Sequence, residues 1–325
     1  MVAGGPGRQG TATLEVVSEV TPSSQRGEPP GRTGARREHS GCVGADIIDA
    51  HRMSITRIED GHDERLVDYA GVREPALLRQ RGLLIAEGRF VVSRLITSGR
   101  LTPRSLLLND AALAALAGIV EQVKTICPVY VASPEVITTA TGFNMHRGCL
   151  AVAERPVGLS LDDVEANSQF VVALERVVDP DNVGSVFRCA EAFGVDAVLL
   201  SPGCCDPFYR KAIRTSSGAT LVVPSAAAAP WSDALDRLRA AGFLIAATTP
   251  DRTAVDIGTF VRSGAAVGRL AVMLGTEGHG LTDEALARAD VRIRIPMSGS
   301  IDSLNIATAT GITLHRLHEV RQAGR

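Results

Sequence analysis

"AVMLGTEGHGLTDEA", residues 271–285, runs from an apolar segment through three glycines in six positions into a stretch that reads as a helix. A strand, a glycine turn and a helix N-terminus together are a common place to hold a phosphate. The glycines here, Gly275, Gly278 and Gly280, run G-x-x-G-x-G, which is the wrong order for the dinucleotide fingerprint, and no Walker lysine follows them. Glu277 sits inside the turn, where a carboxylate repels an anion and suits hydroxyls or a cation. Taken alone, the turn is either that kind of site or a tight strand-to-helix connection.

The flanking chain places the turn late in an alternating series. Apolar runs at 170–174, 197–201, 220–224, 243–248, 270–275 and 291–296 read as strands. Helices are expected between them at 183–193, 208–217, 231–241 and 283–288, and a last one at 303–321. Continuous apolar strands separated by helices predict an α/β fold with a parallel sheet covered on both faces. Ligands of such sheets sit beyond the carboxyl ends of the strands. Upstream, strands at 83–86, 104–109, 128–132 and 149–155 and a helix at 111–124 predict a smaller α/β unit. The expected organisation is a disordered tail over 1–52, a small domain over 53–155, a linker over 156–167 and a main domain over 168–325. The tail is rich in Gly, Pro, Ser, Thr and Arg and buries too little apolar surface to order itself.

Two further loops fall at expected strand ends. In "VVDPDNVGSVFRCAEAFG", residues 177–194, Asn182 is placed to cap a helix starting at Val183, and Arg188 follows six residues on. The pair reads either as a phosphate site at a helix N-terminus or as a cap beside a solvated arginine. In "RIPMSGSIDSLNIATATG", residues 294–311, a strand ends at Ile295-Pro296-Met297, and Ser303-Leu304-Asn305 opens a helix rich in small residues, with Ser303 as its expected cap.

The ordered set N-x-G-x-x-x-R from Asn182 to Arg188, G-x-E-x-x-G-L from Gly275 to Leu281, and I-P-M…S-L-N from Ile295 to Asn305 resembles the SpoU (TrmH-type) branch of the SPOUT RNA methyltransferases. The resemblance covers 168–325. Residues 72–155, with "LLIAEGRFVVSRLI" and "TGFNMHRGCLAV", resemble more loosely the small substrate-binding domain of ribosomal-protein L30e type. The resemblance implies a C-terminal trefoil knot, a homodimer, S-adenosylmethionine as cofactor, and methyl transfer to a ribose 2′-hydroxyl of structured RNA. The appended small domain favours 23S ribosomal RNA, with transfer RNA as the near alternative. Leu274, Gly275, Thr276, Gly280, Ile295, Met297, Ser303 and Leu304 are then expected to hold the cofactor. Arg188, Asn182, Asn305, Ser303 and Glu277 match the family's catalytic positions, with Arg188 clamping the substrate phosphate. Thr276 departs from the amide that many members carry there, and it keeps a hydrogen-bonding side chain.

Charge and composition narrow the alternatives. The net charge is −2, yet residues 71–155 carry ten Lys/Arg against six Asp/Glu. Arg73, Arg79, Arg81 and Arg147 are accordingly expected to touch RNA phosphate. Eight Phe, three Tyr and one Trp leave few stacking platforms, which favours recognition by shape and backbone. The six cysteines are scattered and form no CxxC pair, and the opening residues lack a basic-then-apolar leader. A cytoplasmic protein with reduced, mostly buried thiols, no metal and no membrane partner is expected. The missing early G-x-G-x-x-G argues against a nicotinamide-dependent oxidoreductase, and the intact motifs argue against a non-catalytic RNA-binding protein.

Overall fold

A computed structural model describes residues 55–70, 72, 74–144, 147–299 and 303–323. The expected tail over 1–52 lies outside the described residues. Strands β1 (Ile55–Ile58), β2 (Leu83–Glu87), β3 (Pro103–Leu108), β4 (Val129–Ala132) and β5 (Cys149–Glu154) form a first sheet in the order β1-β4-β3-β5-β2. The β5 strand pairs antiparallel with both β3 and β2, and the other pairs are parallel. Its helices are α1 (Pro75–Gln80), α2 (Arg89–Thr97), α3 (Asp110–Ala115), α4 (Ala117–Val123) and α5 (Pro134–Thr141).

The second sheet has seven strands, all parallel: β6 (Phe170–Glu175), β7 (Ala197–Leu200), β8 (Ser225–Ala227), β9 (Leu244–Thr248), β10 (Val255–Asp256), β11 (Leu270–Gly275) and β12 (Val291–Arg294). Their order is β10-β12-β9-β11-β6-β7-β8. Around it lie α6 (Leu161–Asn167), α7 (Pro180–Ala192), α8 (Arg210–Thr215), α9 (Trp231–Ala240), α10 (Ile257–Arg262), α11 (Asp283–Ala287) and α12 (Ile306–Ala323).

The period of two along each strand divides the core. Val172, Leu174, Val272 and Leu274 pack on one face with Val183 and Phe187 of α7 and Leu314 of α12. Val171, Ala173, Ala271 and Met273 pack on the other with Leu235 and Leu238 of α9. Both faces are dry, so β6 and β11 read as unbroken apolar runs. The two sheets also share apolar contacts: Leu84, Leu106 and Ala151 of the first cluster with Ile213 of α8 and Leu221. Arg155 adds a two-pronged ion pair to Asp206 at 2.6 and 2.7 Å, and Arg210 pairs with buried Glu87 at 2.6 Å.

Several expected elements are placed differently. The apolar run 220–224 forms no strand. Gly218 takes a left-handed φ of +82° and starts a tight 3-10 turn over Ala219–Leu221, and the strand comes at Ser225–Ala227. That turn lets Leu221 reach the first sheet's core. The helix expected over 111–124 breaks at Leu116 into α3 and α4. The expected linker contains α6, capped by reciprocal Ser160–Asp163 bonds. Strands β1 and β10 and helix α10 had no expected counterpart.

Candidate active site

Three loops meet at the carboxyl ends of β9, β11 and β12 and enclose a cavity of about 460 Å³. Its wall after β11 is the turn 275–280. A side chain on Gly275 is impossible there, because an ideal Cβ would lie 2.2 Å from the Gly280 carbonyl carbon and 2.3 Å from the Leu281 nitrogen. The Gly280 N–H donates to the Thr276 carbonyl at 2.9 Å, and Gly278 and Gly280 have φ of +85° and +69°. The glycines therefore close the turn on itself. Beyond it, Thr282 caps α11, and buried Glu175 at the end of β6 accepts from the Thr282 N–H and hydroxyl at 2.8 and 2.7 Å. Glu175 is a positioning residue whose sequence signal is a carboxylate closing the apolar run "FVVALE".

All eight residues expected to hold a cofactor line this cavity: Leu274, Gly275, Thr276, Gly280, Ile295, Met297, Ser303 and Leu304. Glu277 and Asn305 line it too. Thr248, Ile257, Ala309 and Thr313 are among the lining residues that were not anticipated. Their signal was weak, since each lies on an ordinary-looking apolar or threonine-containing segment.

Asn305 organises the mouth. Helix α12 begins at Ile306, and the Asn305 Oδ1 accepts from the N–H groups of Ala307 at 2.9 Å and Thr308 at 3.4 Å. Asn305 therefore caps α12, and Ser303, expected as the cap, lies exposed before it. With its oxygen committed to the helix, Asn305 turns its Nδ2 outward. That amide donates to Asn182 Oδ1 at 3.4 Å and to Glu277 Oε1. One side chain thus ties the loops after β11 and β12 to the first turn of α7.

Asn182 is not a cap either. Pro180 opens α7, and the Asp179 carboxylate accepts from the Asp181 N–H at 2.8 Å. Proline at the first helical position forgoes an N–H that has no helical partner there, which moves the start forward of Val183. Asn182 falls in the first turn, 8% exposed, with its oxygen toward Asn305. Asp181 holds Lys211 at 2.8 Å and Thr215 at 2.8 Å on α8, and these bonds keep its carboxyl below the usual range.

Arg188 is not in the cavity lining. Six residues past Asn182, it is about 9 Å along the helix and about 120° round it. It is exposed and makes no hydrogen bond or ion pair among the described residues. The expected RNA-contacting arginines are separated. Arg79 and Arg81 lie at the amino end of β2, and Arg81 donates to the Val67 carbonyl at 3.4 Å. Arg147 lies at the carboxyl end, where a Cβ on Gly88 would come 3.1 Å from its Cδ. Five residues of strand put roughly 16 Å between the two ends. Arg73 lies outside the described residues. The thiols of Cys127 and Cys149 are buried, and those of Cys189, Cys204 and Cys205 are partly so, all free. No described helix is long and apolar enough to cross a membrane.

Comparison with known proteins places this arrangement. The model of the SpoU rRNA Methylase family matches residues 169–315. An uncharacterized tRNA/rRNA methyltransferase of Mycobacterium bovis is 41% identical over 84% of this chain and 92% of its own length. The 23S rRNA (guanosine(2553)-2′-O)-methyltransferase RlmP of Bacillus subtilis is 23% identical over 80% of this chain and 98% of its own. Among solved structures, an AdoMet-bound rRNA methyltransferase from Sinorhizobium meliloti superposes with a TM-score of 0.68 at 26% identity, covering 82% of this chain and 98% of that one. The chain belongs to the SpoU rRNA methylase family, and it is a methyltransferase.

Proposed function

We propose that the protein transfers the methyl group of S-adenosylmethionine to a ribose 2′-hydroxyl of structured ribosomal RNA. The observation that carries this reading is the Glu277–Asn305–Asn182 bridge at the mouth of a cavity walled by Leu274–Leu281, Ile295, Met297 and Ser303–Ile306. The residues suit that cofactor. Leu274, Ile293, Ile295 and Met297 offer apolar contact to an adenine ring, and the carboxylate of Glu277 suits a cationic amino acid end. Thr313 lines the cavity, and its buried hydroxyl has no hydrogen-bond partner among the described residues. The cofactor supplies an electrophilic methyl group when bound.

The chain's own part is position and hydrogen bonding. The Asn305 amide is held in one orientation by its cap, so its Nδ2 points at the mouth. Asn182 spends its oxygen on Asn305 and keeps its two N–H donors for the ribose. Such alignment of an attacking oxygen can lower a barrier by several kcal/mol, on the order of 7–11 at best. Arg188 clamps the phosphate beside the target. Exposed and outside its own cavity's lining, it serves the cavity of a second copy in a homodimer. The small first sheet binds the RNA, the C-terminal segment threads the trefoil knot that the family resemblance implies, and the protein works in the cytoplasm. Incubation with labelled S-adenosylmethionine and either protein-free ribosomal RNA or transfer RNA tests the reading. Label in ribosomal RNA supports it, and label only in transfer RNA favours the alternative substrate.

A further inference from the structure

A second cavity of about 330 Å³ opens beside the first and shares Pro250, Arg294, Ile295 and Met297 with it. The rest of its described lining is Arg252, Ser298 and Gly299, with no carboxylate. Arg252 is exposed and makes no hydrogen bond or ion pair among the described residues. Arg294 donates from Nε to the Ala254 carbonyl at 3.2 Å, which fixes its stem and leaves both terminal nitrogens to the cavity. The acidic neighbours are otherwise engaged. Asp251 accepts from the Thr253 N–H at 2.8 Å and hydroxyl at 2.9 Å, and Asp256 accepts from the Gly258 N–H at 2.7 Å. Two guanidinium groups therefore face one polar cavity whose described lining holds no carboxylate. Like charges so placed repel, and an anion relieves the repulsion while taking paired N–H donors.

We propose that Arg252 and Arg294 form a phosphodiester subsite that takes the RNA backbone beside the methylated nucleotide. The inference rests on the methyltransferase reading and adds a contact that it does not contain. Arg294 lines both cavities, so a phosphate held there lies next to the methyl donor. Arg252 stands at the solvent side, open to a polymer. Gly299, whose φ of +93° favours glycine, lies in ordinary contact range of Arg252, where a Cβ would be 3.5 Å from Nη2.

The test measures binding of a fluorescent RNA stem-loop by anisotropy at several KCl concentrations, and of S-adenosylmethionine by calorimetry. Arg252→Ala is expected to weaken stem-loop binding by about 3- to 10-fold and to flatten the log–log salt slope by about one, as loss of one phosphate contact does. Cofactor affinity stays unchanged, and Arg252→Lys keeps the slope. Arg316→Ala, which removes a cation paired with Glu319 on α12, leaves the slope alone. An unchanged slope for Arg252→Ala overturns the subsite. So does a loss of cofactor affinity with RNA binding intact, which makes the anion the cofactor's own carboxylate. Wild-type protein that shows the Arg252-dependent slope but binds no cofactor supports the subsite and sinks the methyl-transfer reading instead.

Discussion

The side-chain amide of Asn305, first cap of α12, donates to Asn182 Oδ1 in the first turn of α7, 3.4 Å away and 123 residues earlier in the chain. The same amide reaches Glu277 Oε1, so the helix that closes the fold also sets the polar groups of the cavity mouth. Asn305→Ala is expected to do two separable things. Loss of the cap costs about 1 kcal/mol of stability, read as a shift in the denaturant midpoint. Loss of the bridge slows methyl transfer on the order of 100-fold, since a positioned donor at the reacting centre is lost. A rate that falls only as far as the folded fraction falls would reduce Asn305 to a cap.

Arg188 and Asn305 are expected to act from different copies. Arg188→Ala and Asn305→Ala homodimers should each be nearly inactive. Co-refolded as a mixture, they should regain roughly a quarter of wild-type turnover, because half the dimers are mixed and each mixed dimer keeps one intact site. Mixtures no more active than either parent would place both residues at one copy's site.

Thr313 offers a cleaner measure of the cavity wall. Its neighbour Thr310 satisfies its hydroxyl by donating to the Ile306 carbonyl at 2.7 Å, whereas Thr313 has no such partner. Thr313→Val should leave the ligand-free protein no less stable, since the hydroxyl it removes is unpaired. It should weaken S-adenosylmethionine binding about fivefold, the worth of roughly 1 kcal/mol for one hydrogen bond. Thr313→Ser should bind normally. Equal calorimetric affinities for the wild type and the valine variant would show that the hydroxyl faces no ligand atom.

Alkaline pH should loosen the first sheet. Burial pushes the Cys127 and Cys149 thiols up to about 12, from an ordinary value of 9.0. A pKa raised in the folded state gives stability that is complete below the unfolded value and is lost as pH rises towards the folded one. The window is therefore about pH 9 to 12, and at pH 10.5 each thiol accounts for a loss of about 2 kcal/mol. Cys127→Ala with Cys149→Ala should flatten the fall in urea-unfolding free energy between pH 8 and 10.5. An unaltered slope would mean that the unfolded thiols are not what drives it.

Much of the site was legible in the sequence, because its chemistry sits at strand ends that the apolar runs mark. Gly275, Glu277 and Asn305 announce themselves as interruptions after such runs. The fold was legible where both faces of a strand are buried, as in β6 and β11. It was hidden where an apolar run packs as something other than a strand, as at Ala219–Leu221, whose Leu221 reaches the other sheet's core. The caps misled for a local reason: Ser303 and Asn182 are cap-forming residue types, but Pro180 and Asn305 set the helix starts. Thr313 and Arg252 could not be picked out, since a threonine inside a helix and an arginine in a loop acquire meaning only from the cavities they face.

The central claim is the chemistry at the ribose. Protein-free ribosomal RNA methylated with CD3-labelled S-adenosylmethionine, then digested to nucleosides and analysed by mass spectrometry, tests it most directly. The expected result is one 2′-O-CD3 nucleoside, from a position whose 3′ phosphodiester in the intact RNA resists alkali, and it forms on the order of 100-fold more slowly with Asn305→Ala. Label on a base, or no label in RNA at all, would contradict it.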